Sequence, residues 1–287
     1  HAVSAFPEDA PAPRYDLLAV TKYNRLTLQT TRGCPLDCSF CAASRLISRY
    51  KRKPHAAIRR ELEELTRIWP KPFVELADDN TFVHKKWSIE TARLLGEFGV
   101  HWFTETDVSV ADDPQLLDAL AESGCAQLLI GMEATTVDEL DETDTHGWKR
   151  KRMHDYRRAI DTIHSKGISV NGCFVIGFDH AGPDVFERIA QFVKSSGLTE
   201  VQVTVLTPFP GTALYERLKR EGRLIDEHNW GACTLFDVNF RPARMSVEEL
   251  QVGFKWLIGE LYSESESARR KAMFRSLVRE RLSHATS

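Results

Sequence analysis

From Leu26 to about residue 206, short apolar segments alternate with longer segments in which apolar residues recur every three or four positions. The short segments are rich in Val, Ile, Leu and Phe, which is typical of strands in a parallel sheet covered on both faces. The pattern predicts six strands, at residues 26–31, 73–77, 101–106, 126–132, 168–178 and 200–206.

The segments between these strands carry helix signals. Ile58, Leu62 and Leu65 are three or four residues apart, and Trp69 continues the series, so all four fall on one helix face. Asp113 followed by a proline is typical of an N-cap and a first helical position. Each helix is predicted to end at a glycine before the next strand begins, at Gly99, Gly124, Gly167 and Gly197.

Six strand–helix units in succession predict an α/β protein, a partial (β/α)6 TIM-type barrel. A doubly wound open sheet has the same local pattern, and periodicity does not separate the two. Beyond residue 206 a turn and a helix are followed by an irregular segment. A capping box at Ser246 and Glu249 then predicts a helix over 247–262, and a basic helix is predicted from about Ala268.

The predicted organisation has three parts: a linker-like N-terminal segment at 1–24, the barrel at 25–212, and a mostly helical C-terminal extension at 213–287. The chain starts with His1, and the Pro- and Ala-rich stretch after it is expected to be a linker within a longer chain. A tag remnant is the alternative explanation.

Composition narrows the functional classes. A chain of 287 residues with 42% hydrophobic residues can bury one large core or two small ones. A net charge of -3 gives no general reason to expect nucleic acid or an acidic membrane as partner. The sequence has no run of apolar residues of membrane-spanning length and no signal peptide, which predicts a soluble, cytoplasmic protein.

Three of the six cysteines lie within "RGCPLDCSFC", just after the first predicted strand. Active sites of parallel α/β folds lie at that end of the strands. Cys34, Cys38 and Cys41 do not complete a tetrahedral zinc site without a fourth ligand, and no second closely spaced pair follows. Three thiolates can instead hold three irons of a 4Fe–4S cluster and leave the fourth iron open. A redox or zinc-binding loop is the alternative.

The motif "RGCPLDCSFC", with Phe40 just before its last cysteine, resembles the signature of the radical S-adenosylmethionine (SAM) enzymes, and the resemblance extends over residues 20–265. It implies that Cys34, Cys38 and Cys41 ligate a 4Fe–4S cluster whose fourth iron is chelated by SAM. One electron would cleave SAM to methionine and a 5′-deoxyadenosyl radical, which abstracts hydrogen from the substrate. The resemblance also implies that Phe40 packs near the adenine.

Two further motifs imply contacts with the polar groups of SAM. In "ADDN", Asp78, Asp79 and Asn80 stand where the family has Gly-Gly-Glu. The carboxylates of the two aspartates suit an ammonium group. In "IGMEA", Glu133 is implied as a partner of a ribose hydroxyl or of the amino group. The alternative roles are capping of the next helix for 78–80 and a solvated strand end for Glu133.

Two other motifs are implied to contact the adenine. "GCFVIGF" resembles the strand whose Ile176 and Gly177 lie against the base. "LTPFPGT" resembles the turn on the adenine side, where Pro208 and Pro210 restrict the backbone.

The combined motifs are most similar to radical SAM proteins that carry an N-terminal cobalamin-binding domain. That branch contains methyltransferases acting on unactivated carbon, and also ring-forming and oxidising members. The resemblance implies cobalamin as a further cofactor, held by a domain before His1. "DTHG" at 144–147 begins like a cobalamin-ligating motif, but Lys149 replaces its last glycine, so we interpret it as chance. The implied partners are a small-molecule substrate and an electron donor such as flavodoxin or ferredoxin.

The remaining candidates have ordinary interpretations. Basic clusters at 49–53 and 149–152 are predicted to be solvated loops, because no extended basic and aromatic surface accompanies them. Cys125 and Cys173 are predicted to be buried small hydrophobic residues, and Cys233 is isolated. No metal-ligand spacing is found for His101, His146 and His154. Cobalamin-independent radical chemistry, RNA modification and a non-catalytic iron–sulfur scaffold stay open as alternatives.

Overall fold

The computed structural model describes residues 11–43, 50–141, 143 and 147–285. Its centre is a parallel sheet of six strands, and two short strands pair separately beside it. The strands are β1 (Leu26–Leu28), β2 (Thr31–Arg32), β3 (Lys51–Arg52), β4 (Phe73–Leu76), β5 (His101–Thr106), β6 (Cys125–Glu133), β7 (Ser169–Ile176) and β8 (Glu200–Val205).

Helices connect the strands and continue after the last one. They are α1 (His55–Ile68), α2 (Lys85–Glu97), α3 (Pro114–Glu122), α4 (Val137–Asp141), α5 (Trp148–Arg152), α6 (Tyr156–His164), α7 (Val185–Ser195), α8 (Ala213–Arg220), α9 (Val247–Leu261) and α10 (Glu264–Ala285).

The strand order decides between the two predicted architectures. The main sheet runs β1-β4-β5-β6-β7-β8, and every neighbouring pair is parallel. A doubly wound sheet reverses its strand order part-way, whereas this order follows the chain throughout. The α/β partial barrel with a helical C-terminal region is therefore confirmed, and β1 and β8 are the edge strands of the described sheet.

Local helix signals are also confirmed. The Asp113 side chain accepts a hydrogen bond from Leu116 N at the start of α3. Ser246 and Glu249 form the reciprocal capping box at the start of α9. The last helix begins at Glu264, a few residues before the predicted start. The four predicted helix-ending glycines all have positive φ: Gly99, Gly124, Gly167 and Gly197.

The expectation that both sheet faces are covered is wrong. In β5, Trp102 and Thr104 are fully buried, whereas the alternate residues Phe103 and Glu105 are partly and largely exposed. The same alternation runs through β4, β6 and β7. One face packs under the helices, and the other lines an open lumen that water reaches. The lumen side chains include several polar ones: Glu75, Glu105, Gln127, Asn171 and Gln202.

The helix-covered face forms the core. Ile58, Leu62 and Leu65 of α1 have no exposed surface, as the spacing predicted. Burial of each such side chain is worth about 1.5–3 kcal/mol. The C-terminal helices extend this core, because Leu250 and Leu257 of α9 are also fully buried. Among the described residues, no helix is both long and apolar enough to cross a lipid bilayer.

Candidate active site

The three clustered cysteines lie at the carboxyl end of the sheet. Cys34, Cys38 and Cys41 line one cavity of about 350 Å³, together with residues that follow or end β4, β5 and β6. The loop that carries them is fixed on both sides, since Ser39 N donates to Thr143 O at 2.8 Å and Leu214 N donates to Ser39 O at 2.9 Å. These two hydrogen bonds tie the loop to the segment after α4 and to the start of α8.

The chemistry of this donor set fits an iron–sulfur cluster better than a single ion. Within the part of the chain that the structure describes, no three His, Cys, Asp or Glu side chains are gathered closely enough to hold one metal ion. In a 4Fe–4S cluster each thiolate binds a different iron, so the thiols need to face one cavity but do not share one centre. Burial raises the pKa of Cys34, and it raises that of Cys38 to about 12, so metal binding would displace protons from both.

Asp78 fixes the start of the cysteine loop. Its side chain is 3% exposed, and it accepts hydrogen bonds from Thr30 N at 2.7 Å, from Thr31 N at 2.8 Å and from the Thr30 hydroxyl. Thr81 Oγ1 donates to the same carboxyl at 3.3 Å. The carboxyl is thus supplied with donors from the protein and is not part of the cavity lining.

Asp79 and Asn80 do line the cavity. Asp79 Oδ2 accepts from Gly33 N at 2.6 Å, one residue before the first cysteine. Asn80 Nδ2 donates to Cys34 Sγ at 3.8 Å and to Asp107 Oδ2 at 2.9 Å. These residues do not cap α2, whose N-cap is His84. The capping alternative therefore has no support.

Glu133 is buried rather than solvated. Its side chain forms an ion pair with Lys149, and both are less than a tenth exposed. Lys149 Nζ also donates to Gly131 O at 3.2 Å. Burial alone would lower the pKa of Lys149, but the neighbouring Glu133 carboxylate outweighs it and the pKa lies above its usual range. The ammonium is close enough to Cys38 to lower the pKa of that thiol, against the effect of burial.

The backbone at the end of β6 is built around this pair. Glu133 has φ of 64°, in the left-handed region that non-glycine residues rarely adopt. The pairing register with β7 shifts between Gly131 and Glu133. A Cβ at position 131 would lie 2.6 Å from Glu133 Oε1 and 3.0 Å from Lys149 Nζ. Glycine at 131 therefore leaves the space that the ion pair occupies.

Of the residues predicted to contact adenine, only Phe40 lines the cavity. Its ring centroid is 5.9 Å from that of Phe178. The side chains of Ile176 and Pro208 are buried, and neither residue lines the cavity. Gly177 has φ of 106° and lies against the C-terminal region, where a Cβ would be 3.0 Å from Phe240 Cζ. Their contacts with adenine stay predictions.

Several lining residues were missed by sequence reasoning. Lys149 was assigned to a solvated basic cluster, but it is buried in the cavity wall. Cys173 was predicted to be buried, yet it is half-buried and lines the cavity. Glu105 also lines the cavity. Its position near the carboxyl end of a predicted strand could have identified it as a site residue. The other lining residues on β7 and β8 are Val175, Gln202 and Thr204.

The remaining basic and cysteine predictions have mixed outcomes. In the first basic cluster Lys53 is buried and paired with Glu61 at 2.8 Å, so it is not solvated. Cys125 is buried as predicted. Cys233 is half-buried and accepts from Asn239 Nδ2 at 3.5 Å. His146, most of the "DTHG" stretch and Arg49 of the first cluster lie outside the described residues.

Comparison with known protein families decides the identity of this fold. A family model described as "Radical SAM superfamily" matches residues 28–193, which is more than half of the chain. The chain belongs to the radical SAM superfamily. Enzymes of this superfamily use a 4Fe–4S cluster and SAM and need a reductant. A second model, "Domain of unknown function (DUF4070)", matches residues 212–287 of this radical SAM enzyme.

Curated relatives are named as methyltransferases. The uncharacterized methyltransferase sll1242 of Synechocystis sp. is 32% identical over 265 residues, which are 88% of this chain and 48% of the relative. The bacteriochlorophyllide d C-12(1)-methyltransferase of Chlorobaculum tepidum is 26% identical over 255 residues, or 87% of this chain and 54% of the relative. This radical SAM chain thus spans about half the length of the curated relatives it matches.

Solved structures share the fold. TsrM from Kitasatospora setae, a radical SAM methyltransferase with cobalamin and a [4Fe–4S] cluster bound, superposes with a TM-score of 0.62 at 16% identity, over 69% of this chain and 37% of that one. OxsB, a cobalamin-dependent SAM radical enzyme with aqua-cobalamin bound, has a TM-score of 0.61 at 14% identity, over 89% and 45% of the two chains. At these identities the likeness concerns the fold.

Proposed function

We propose that this chain is the radical SAM barrel of an enzyme that transfers a methyl group to an unactivated carbon of a small molecule, with cobalamin as methyl carrier. The observation that carries the proposal is the shared cavity, in which three thiols face Asp79, Glu133 and Lys149 at the carboxyl end of the sheet. The methyltransferase names of the relatives support the reaction class. Flavodoxin or ferredoxin is the proposed electron donor.

Cys34, Cys38 and Cys41 would hold the cluster. Their loop is anchored through Ser39 and through the Asp78 hydrogen bonds. Ionised thiolates bring negative charge to a partly buried site, which is costly without a compensating cation. The Lys149 ammonium in the cavity wall favours the Cys38 thiolate, and its Glu133 partner offsets part of that effect.

Asp79 and Glu133 would bind the polar groups of SAM. Asp79 has one carboxylate oxygen engaged by Gly33 N and lines the cavity, so it can accept from the SAM ammonium. The Glu133 carboxylate is fixed by Lys149 and can accept from a ribose hydroxyl without changing rotamer. Phe40 gives the cavity an aromatic wall. Asp78 orients the loop and is not proposed as a SAM ligand.

When bound by Cys34, Cys38 and Cys41, the cluster would supply the electron for reductive cleavage of SAM, and SAM would supply the radical that takes a hydrogen atom from the substrate. The residues of this chain would orient the reactants, and Leu129, Val175 and Leu235 provide the apolar part of the lining. An unactivated carbon is not a nucleophile, so methyl transfer to it needs a separate methyl carrier. We propose cobalamin for that role because the fold neighbours TsrM and OxsB bind it.

Anaerobic reconstitution with iron and sulfide, followed by SAM and dithionite, tests the first half of the proposal. The expected products are methionine and 5′-deoxyadenosine, and the Cys34→Ala, Cys38→Ala, Cys41→Ala variant should form neither. A wild-type chain that binds a cluster but releases no 5′-deoxyadenosine would indicate an iron–sulfur scaffold instead.

The second half is tested on the full-length protein with hydroxocobalamin and substrate. Methyl transfer by this route should yield both S-adenosylhomocysteine and 5′-deoxyadenosine. If the protein binds no cobalamin and forms only 5′-deoxyadenosine, methyl transfer is wrong, and the reaction is a cobalamin-independent hydrogen abstraction, rearrangement or cleavage.

A further inference from the structure

Glu105 is an acidic residue of the cavity that has no role in the proposed cofactor contacts. It lies near the carboxyl end of β5 and lines the same cavity as the cysteines. Its carboxyl has no hydrogen-bond or ion-pair partner among the described residues, in contrast to Glu75 on the same lumen face, which pairs with Arg25 at 2.6 Å. Because the side chain is exposed to the lumen, this carboxyl stays available to a ligand in the cavity.

The surroundings of Glu105 are acidic. Although water in the lumen reaches the side chain, protein atoms surround it on most sides, and this burial is the largest cause of a pKa raised to about 7. Repulsion from the carboxylates of Asp79, Glu75, Glu133 and Asp78 contributes the rest of this rise. The nearby cations are already engaged, since Arg25 pairs with Glu75 and Lys149 with Glu133. A positive group entering this space would therefore be stabilised.

A second acceptor lies in the same layer of the lumen. The strand register aligns Glu105 with Leu129, Leu129 with Asn171, and Asn171 with Glu200. The Asn171 Oδ1 atom is buried and accepts no hydrogen bond from the described residues. Leu129 between them is apolar and lines the cavity. Asn171 is not part of the cavity lining, so Glu105, beside the apolar Leu129, is the acceptor that this layer presents to a ligand in the cavity.

We propose that Glu105 is a specificity-determining residue that binds a protonated nitrogen group of the substrate, so that the substrate class is a small molecule with an amine next to an apolar body. The inference rests on the proposed function, because it assumes that SAM occupies the Asp79 and Glu133 end. The apolar body would lie along Leu129 and Val175, and the amine would donate to Glu105.

The test uses the chain loaded with cluster and saturated with SAM. Reductant is left out, so that probe binding is measured in the absence of turnover. Benzylamine, benzyl alcohol and benzoate share one ring and differ in the polar group. Their dissociation constants are measured by ligand-observed NMR at about pH 8, where the Glu105 carboxyl is mainly ionised. We expect benzylamine to bind more than about tenfold more tightly than either other probe.

Glu105→Gln should remove this preference, weakening benzylamine binding by more than about tenfold while leaving benzyl alcohol unchanged. Glu75→Gln is the matched control, because that lumen carboxylate is already paired with Arg25, and it should weaken benzylamine binding far less than Glu105→Gln. Unchanged benzylamine affinity in Glu105→Gln, or tighter binding of benzoate or the alcohol to wild type, would overturn the proposal. A loss of SAM affinity in Glu105→Gln would also overturn it by assigning Glu105 to the cofactor site. Failure of wild type to bind cluster or SAM would appear before any probe is added and would overturn the proposed function itself.

Discussion

The two ends of the lumen differ in how their polar groups are satisfied. At the cofactor end, Asp78, Asp79, Asn80 and Glu133 each have a protein partner. In the neighbouring layer, Glu105 has none among the described residues. Fixed partners hold side chains in one geometry, which suits cofactors that are the same in every turnover. Groups without partners keep hydrogen-bonding capacity for a ligand. The difference therefore separates a preorganised cofactor end from a substrate end that the ligand completes.

The largest effect is expected from removing the cluster ligands. The variant Cys34→Ala, Cys38→Ala, Cys41→Ala should hold no iron after reconstitution, because the other three cysteines are separated in the fold. Iron and sulfide counts measure this. The control Cys125→Ala, Cys233→Ala should retain four irons per chain, the content of one 4Fe–4S cluster. Four irons in the triple variant would reveal an auxiliary cluster.

The next largest effect concerns the buried ion pair. Lys149→Met leaves the Glu133 carboxylate buried without its partner, which costs about 3–5 kcal/mol. The melting temperature of the apo chain should fall on the order of 10 °C by calorimetry. Lys151→Met, on the exposed side of the same helix, should leave it unchanged. Adding Glu133→Gln to Lys149→Met should restore part of the loss, and no restoration would mean that lost packing, rather than the unpaired charge, is responsible.

Sequence reasoning recovered the features that are local in the chain. Strands, helix caps and the cysteine loop are each encoded within a few consecutive residues, so periodicity and spacing identify them. Lys149 was misjudged because it lies in a run of four basic residues, which is usually solvated. Its burial depends on Gly131 and Glu133 of a separate strand. The polar lumen was also missed, since apolar strand composition does not reveal that one sheet face stays open.

Substitutions of the adjacent residues Asp78 and Asp79 should differ in their effects on SAM affinity and on melting temperature. Asp79→Ala should weaken SAM binding by about 1.5–3 kcal/mol, the value of a charge-assisted hydrogen bond. It should lower the melting temperature less than Asp78→Ala, because it removes the acceptor of only one backbone N–H, that of Gly33. Asp78→Ala instead leaves Thr30 N and Thr31 N without their acceptor, so it should lower the melting temperature. Equilibrium binding of SAM to cluster-loaded chain and calorimetry distinguish them. Equal loss of SAM affinity with equal destabilisation would contradict the division.

The smallest effect is a pH dependence of stability at the substrate end. The pKa of Glu105 is raised to about 7 in the folded chain, so between about pH 4.5 and 7 the folded state binds more protons than the unfolded state. Stability therefore falls as pH rises through this window. Glu105→Gln removes the penalty and should be more stable than wild type by about 1 kcal/mol at pH 8, after allowance for solvent screening, but not at pH 4. Melting curves of both proteins at pH 8 and pH 4 measure this difference in stability. Stabilisation by Glu105→Gln at pH 4 alone would contradict the prediction.

The open sheet has a consequence for the size of what can react. Among the described strands, β1 and β8 pair with no further strand on their outer sides, and only Val205 at the end of β8 donates a backbone hydrogen bond to Leu235 of the C-terminal region, so the sheet does not close on itself. A closed barrel admits only molecules smaller than its interior. Through an opening in the wall, one end of a larger molecule can enter while the rest stays outside. The cavity of about 350 Å³ then limits only the portion that carries the reacting carbon. Substrates far bulkier than the cavity are compatible with this wall, provided that their reactive end is slender.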